Sequence, residues 1–160
     1  MRIPVVDEKD EIVECKERET LDRADIYRVA ALWVTNGRGK VLLAQRALTK
    51  PHSPGKWGPA VAGTVEEGET YEENIIKEAE EEIGLVDIAA IPGPKIKVSG
   101  EHNYFCQWFL LTLDKPTAEF QIRKSEVEQV RWISHEDLEK EMQQNQDTFV
   151  AGIQEWKTLF

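Results

Sequence analysis

Apolar residues along the chain come in short runs separated by polar or Gly/Pro-marked stretches, and these runs predict mostly strands up to residue 134. VVDEKDEIVE reads as two strand-like pieces around a polar turn at Asp7 to Asp10, a hairpin. The charged stretch from Lys16 to Asp25 reads as loop or a helical turn. IYRVAALWVT and KVLLAQRA flank NGRG, whose Asn36-Gly37 dipeptide predicts a hairpin between paired strands at 27–35 and 40–46. LTKPHSPGKW is a surface loop by its Pro, Gly, Ser and Lys content, and GPAVAG (58–63) follows as a short strand. IPGPK reads as a turn, while HNYFCQWFLLTL (102–113) is apolar enough for a strand buried on both faces. VEQVRWIS (127–134) is a further strand, and SHED opens a capped helix at 134–143 with Leu138 and Met142 on one side. Phe149, Ile153, Trp156 and Phe160 recur at helical spacing and predict a third helix over 147–160. Together these elements predict an α+β or layered α/β fold with a mixed sheet.

The segment GTVEEGETYEENIIKEAEEEIGL (63–85) has a different pattern. Thr70 with Glu73 forms a capping box and Gly84 a stop, so a helix runs from Tyr71 to Ile83 with Ile76, Ala79 and Ile83 on the face that packs. Nine glutamates fall between Glu66 and Glu82, against one cation, Lys77. Glu78, Glu81 and Glu82 share a neighbouring face, because positions three and four apart stack on a helix, whereas Glu80 points to solvent. Carboxylates in the last turns oppose the helix dipole at about 0.3–1 kcal/mol each, and Glu78 against Glu82 adds a few tenths. A helix selected for stability alone carries Lys or Arg there. A hard divalent cation such as Mg²⁺ resolves the conflict, since it takes oxygen ligands from a few carboxylates plus substrate phosphates.

Composition narrows the partners. At 160 residues and 41% hydrophobic content, the chain predicts one domain, 1–160. A net charge of −10 excludes broad adhesion to long nucleic acid or anionic membrane, which needs clustered Lys and Arg. The longest apolar run, VAALWV (29–34), is far short of a membrane span, and the N-terminus lacks a secretory pattern, so a cytoplasmic location is expected. Cys15 and Cys106 stand alone and read as ordinary thiols.

The glutamate segment resembles the Nudix box, G-x5-E-x7-R-E-U-x-E-E-x-G-U with U aliphatic, through Gly63, Glu69, Glu78, Ala79, Glu81, Glu82, Gly84 and Leu85, with Lys77 in place of the Arg. GKWGPAVAG, LLAQRA and SEVEQVRWIS followed by HEDL are similar to other strands and the late helix of that family, so the resemblance spans 27–143. Residues 1–24 are then an N-terminal hairpin and linker. The resemblance implies an α/β/α sandwich with a mixed sheet between helices, and a Mg²⁺-dependent hydrolase, with Mn²⁺ a substitute, cleaving the diphosphate linkage of a small-molecule nucleoside diphosphate derivative. It implies Glu78, Glu81 and Glu82 as metal ligands, the Gly63 carbonyl contributing, and Glu69 assisting. Lys77 would orient them more loosely than Arg, because Lys lacks a planar fork of donors. Glu126 and Glu128 are further candidates for the general base, and Arg46 and Lys56 for phosphate contact. Trp33, Trp57, Trp108 and Trp132 read mainly as core, with base stacking the alternative. Family members often dimerise, so a homodimer is an expectation.

Two other readings stay open. The N-terminal hairpin also looks like isopentenyl diphosphate isomerases, whose strand entering the box carries a catalytic Cys followed by a metal-binding His; this chain has Ala62 and Thr64 there. It therefore resembles an isomerase-like subgroup without the isomerase thiol. A noncatalytic nucleotide-binding module on the same fold is the third reading.

Overall fold

A computed structural model describes residues 1–160. Its nine strands are β1 (Arg2–Val6), β2 (Ile12–Glu17), β3 (Ile26–Thr35), β4 (Lys40–Arg46), β5 (Trp57–Pro59), β6 (Val61–Thr64), β7 (Ile91–Val98), β8 (Asn103–Thr112) and β9 (Val127–Ser134). Helices α1 (Tyr71–Ile83), α2 (His135–Gln144) and the short α3 (Trp156–Leu159) complete it. β3 is the spine of the sheet, parallel to β8 over its whole length from Ile26↔Asn103 to Thr35↔Thr112 and antiparallel to β6 on its other side.

Alternation along β3 and β4 divides the core in two, because successive side chains of a strand point to opposite faces. Ala30, Leu32, Val34, Leu42 and Ala44 pack with Ile75, Ala79 and Ile83 of α1. Ala31, Trp33, Val41 and Leu43 pack with Leu138 and Met142 of α2 and with Phe149, Ile153 and Trp156 of the C-terminal segment. The sheet therefore lies between two helical layers, the layered mixed α/β architecture that the pattern predicts.

Four details differ from the sequence reading. β3 and β4 are barely paired, at Thr35↔Val41 alone, because β3 gives its edges to β6 and β8 while β4 gives its edges to β5 and β9. GPAVAG is two strands rather than one: the chain bends at Ala60 as it passes from β4 to β3. IPGPK lies in a strand, β7, at the free edge of β8, where a register shift between Pro92 and Lys95 absorbs prolines that a central strand would reject. The C-terminal stretch is not one helix but 3₁₀ turns at Gln146–Thr148 and Ala151–Ile153 followed by α3, although Phe149, Ile153 and Trp156 are buried as their spacing implies.

The N-terminal hairpin joins the sheet through Val6↔Ile26 and is fastened at its turn by Asp10. That carboxylate accepts from Arg28 Nε at 2.7 Å, Lys95 Nζ at 2.6 Å and the Tyr71 hydroxyl at 3.0 Å. Burial alone would raise its pKa, but these three donors outweigh burial and hold it below the usual carboxylate range. One side chain thus ties the hairpin to β3, β7 and the start of α1.

Candidate active site

Helix α1 ends and begins as its sequence dictates. Thr70 Oγ1 accepts from the Glu73 N–H at 3.1 Å, Glu73 Oε2 accepts from the Thr70 N–H at 2.8 Å, and Gly84 takes the left-handed φ of 72° that closes the last turn. The buried face differs from the prediction by one position: Ile75 is fully buried with Ala79 and Ile83, an i, i+4, i+8 ridge, while Ile76 is only partly covered. Asn74 is also fully buried, a position the hydrophobic pattern did not mark. Its Nδ2 donates to the Thr64 carbonyl and to Glu69 Oε2, both at 3.0 Å, bolting α1 to β6.

Gly63 is where the helix comes closest to the sheet. A Cβ there would lie 2.5 Å from Glu78 Cγ and 2.9 Å from Asn74 Oδ1, so no other residue fits without moving Glu78. Beside this contact opens a cleft of about 500 Å³, formed where β4 and β5 diverge from β3 and β6. Among the residues expected in a site, Gly63, Glu78, Glu81, Glu82, Glu126 and Arg46 line it.

Glu69, Lys77, Lys56 and Glu128 do not line it. The Lys77 ammonium bonds Glu69 and sits 3.3 Å from Glu66, and Glu69 also accepts from the Glu66 N–H at 3.0 Å. Both residues thereby close the loop that leads into α1. Burial raises the Glu69 pKa, yet Lys77 and its other donors win and hold it below the usual value.

The carboxylates on the cleft are in the opposite condition. Glu82 is pushed well above the usual range by burial first, then by repulsion from Glu78 and Glu126. Burial raises Glu78 too, with Lys77 opposing at 4.0 Å and Glu81 adding repulsion. Glu126 reaches this corner because the Arg123 N–H donates to the Glu82 carbonyl at 2.9 Å and the Ala47 N–H to the Glu126 carbonyl at 3.0 Å. Its side chain accepts from Lys50 Nζ at 2.5 Å. Lys50 and Arg123, both on the cleft wall, were missed by the sequence reading, since isolated cations in loops carry no periodic or motif signal.

The tryptophans pack mainly as core, as the sequence reading has them. Trp33 stacks on Phe160 at 4.4 Å and Trp108 is 1% exposed, both in the core; Trp57 lies under Arg131, and Trp132 Nε1 donates to the Lys115 carbonyl. The cleft instead carries a Tyr27–Tyr104 pair with ring centroids 5.5 Å apart.

Residues 26–153 match the NUDIX domain family model. The chain belongs to the Nudix family. The Nudix hydrolase YfcD of Escherichia coli K12 is 30% identical over 145 residues, covering 85% of this chain and 75% of that one. A Nudix hydrolase of Yersinia pestis is 28% identical over 144 residues, covering 85% and 74%. Among solved structures, DR0079 of Deinococcus radiodurans superposes with a TM-score of 0.79 at 24% identity, covering 91% of this chain and 90% of that one. The Nudix domain of Shewanella oneidensis NrtR, solved with ADP ribose, gives 0.59 at 16% identity, covering 78% and 82%. The protein is thus an enzyme of the Nudix hydrolase class, a family of metal-assisted pyrophosphohydrolases.

The residues present fit a divalent cation. The donors on this corner are hard oxygens, the Gly63 cradle keeps backbone and Glu78 in contact, and Asn74 Oδ1 is buried against it without a partner. No three His, Cys, Asp or Glu side chains already stand at metal-binding distances. No helix is long and apolar enough to cross a membrane.

Proposed function

We propose that this Nudix enzyme cleaves the phosphoanhydride of a nucleoside diphosphate derivative with Mg²⁺ held by Glu78, Glu81, Glu82 and the Gly63 carbonyl. The observation that carries this reading is the crowding of Glu78, Glu82 and Glu126 at one corner of the cleft, where burial and repulsion raise the first two although Lys77 opposes at Glu78 and Lys50 at Glu82. A bound divalent ion supplies neutralisation of phosphate oxygens and a lowered pKa for the attacking water.

The chain's own residues account for the rest. Arg46, Lys50 and Arg123, all on the cleft wall, present cations to the diphosphate. Glu126, bonded by Lys50 beside Glu82, is positioned to take the proton of the water, and Lys50 orients it for that role. Tyr27 and Tyr104, tilted 34° to each other, offer aromatic surface to the nucleoside. Glu69 and Lys77 hold the loop that delivers Gly63 and Glu78. The ADP ribose bound to the NrtR domain belongs to the same ligand class. A thiol mechanism of the isomerase kind has little support: Ala62 and Thr64 flank Gly63, and burial pushes the Cys106 thiol up to about 12, so it stays protonated.

The test is release of phosphate or nucleotide across a panel of nucleoside diphosphate derivatives with Mg²⁺ and with Mn²⁺, wild type beside Glu81→Gln. Turnover of a compound that the variant does not turn over is the expected result. Equal turnover by both proteins, or none by either with cation binding intact, overturns the reading.

A further inference from the structure

Arginines of this acidic chain are distributed unevenly. Arg2, Arg28 and Arg131 each pair with a carboxylate. Of the remaining five, Arg18, Arg46 and Arg123 line the cleft and Arg23 an adjoining cavity of about 960 Å³, leaving only Arg38, in the turn between β3 and β4. Four of the five unpaired arginines of a chain with 30 acidic and 20 basic residues thus border the cleft or the cavity beside it.

The two cavities meet along a seam. Residues common to both are Arg18, Tyr27, Arg46, Lys50, His52 and His102, with no carboxylate among them. The carboxylates of the outer cavity, Glu19, Asp22, Asp25 and Glu101, lie beyond the seam, and Asp22 and Asp25 are already taken by Lys16 Nζ at 3.2 and 2.8 Å. The imidazoles of His52 and His102 approach edge to face at 6.2 Å. Arg46 Nε donates to the His52 carbonyl at 3.0 Å, which fixes its guanidinium and leaves its terminal nitrogens without a carboxylate. Burial lowers the Arg46 pKa most, Glu82 and Glu126 raise it from the cleft side, and Arg18 lowers it by repulsion, so the Arg46 charge is balanced toward the cleft and opposed toward the seam, where neither guanidinium is paired with a carboxylate. An anion between them removes that repulsion and accepts several charge-assisted hydrogen bonds at once.

We propose that the seam is a second anion subsite that receives a phosphoryl group beyond the diphosphate being cleaved, so that the preferred substrates carry at least one further phosphate. This rests on the diphosphate occupying the corner of Glu78 and Glu82. Arg18 lies in the 3₁₀ turn after β2, outside the 26–153 match to the family. The segment that follows the N-terminal hairpin, outside the matched domain, therefore contributes a specificity residue, held beside the start of β1 by the Arg18 N–H donating to the Met1 carbonyl at 2.9 Å.

The experiment uses the 160-residue chain with Mg²⁺ present, the state in which the Glu78–Glu82 corner can hold a diphosphate, with phosphate release followed alongside so that binding is read before any cleavage. Calorimetric titration with inorganic pyrophosphate and with tripolyphosphate should show the longer anion binding about tenfold tighter, the smaller end of what a charge-assisted hydrogen bond contributes. Arg18→Ala should shrink that gap to within about twofold and Arg18→Lys should restore part of it, while Arg38→Ala, removing an equally unpaired guanidinium far from the seam, should leave it intact. Absence of a gap in the wild type, or a gap untouched by Arg18→Ala, overturns the subsite. Loss of turnover on every substrate with the gap preserved would instead count against the hydrolytic reading alone.

Discussion

The glutamate segment contains two kinds of acidic residue within one 13-residue helix and the loop before it. Those of the first half are spent on structure: Glu73 closes the capping box, Glu69 gathers Lys77, Asn74 and a backbone N–H, and Glu72 and Glu73 face the favourable end of the helix dipole. Glu81 and Glu82, in the second half, have no cation within 4.0 Å, and Glu78 has only Lys77 at that limit. The difference is not in residue type or spacing but in whether the charge is answered from within the chain. Where it is answered, the carboxylate shapes the fold; where it is not, it is either left in solvent, as at Glu80, or turned into the cleft, as at Glu81 and Glu82.

The contrast can be broken most sharply at its unanswered end. Glu82→Gln should lower turnover by about 1,000-fold, the upper end of what one electrostatic contributor supplies. Its metal-free melting temperature should be equal to or above that of the wild type, since a buried, repelled charge has been removed; a large drop in stability would show that Glu82 is structural after all. Gly63→Ala forces a Cβ into Glu78 and should cost about 100-fold in turnover, the scale of a roughly 1 Å displacement, with about 1–3 kcal/mol of stability. Mg²⁺ or Mn²⁺ at ten times its Kd should add about 1.4 kcal/mol, seen as a melting shift of roughly 3–6 °C, in the wild type and not in Glu82→Gln. Thr70→Ala, at the answered end, should lose about 1 kcal/mol without changing KM, by thermal melting and steady-state kinetics. Lys77→Arg should be the mildest, within about twofold in turnover, because either cation bridges Glu69 and Glu66 without touching the cleft.

The bounds of α1 were legible because both ends are written locally, in Thr70, Glu73 and Gly84. β3, β8 and β9 were legible from apolar runs. β7 was hidden by Pro92 and Pro94, whose turn signal is overridden at a sheet edge that asks for few N–H donors. The C-terminal stretch had the right burial and the wrong regularity, since spacing reports which side chains go inside but not whether 3₁₀ turns, helped by Gly152, place them there. In the site, Glu78, Glu81 and Glu82 were visible through the box, whereas Lys50, Arg123 and the Tyr27–Tyr104 wall depend on loops and on a pairing between distant strands. Such partners are specified by the assembled sheet and leave no mark in a local window.

The parallel ladder of β3 with β8 also has a kinetic meaning. It joins Ile26 to Asn103 and Thr35 to Thr112, so the whole of α1 lies inside the loop that this ladder closes. Contacts of such long sequence separation carry a large closure entropy and form late. Glu82 and Glu126 meet through further long-range contacts, the Arg123 N–H on the Glu82 carbonyl and the Ala47 N–H on the Glu126 carbonyl, so their repulsion is expected to fall on the native state more than on the transition state for folding. A bound cation should then act chiefly as a brake on unfolding, lengthening the lifetime of the native molecule while leaving its rate of formation nearly unchanged.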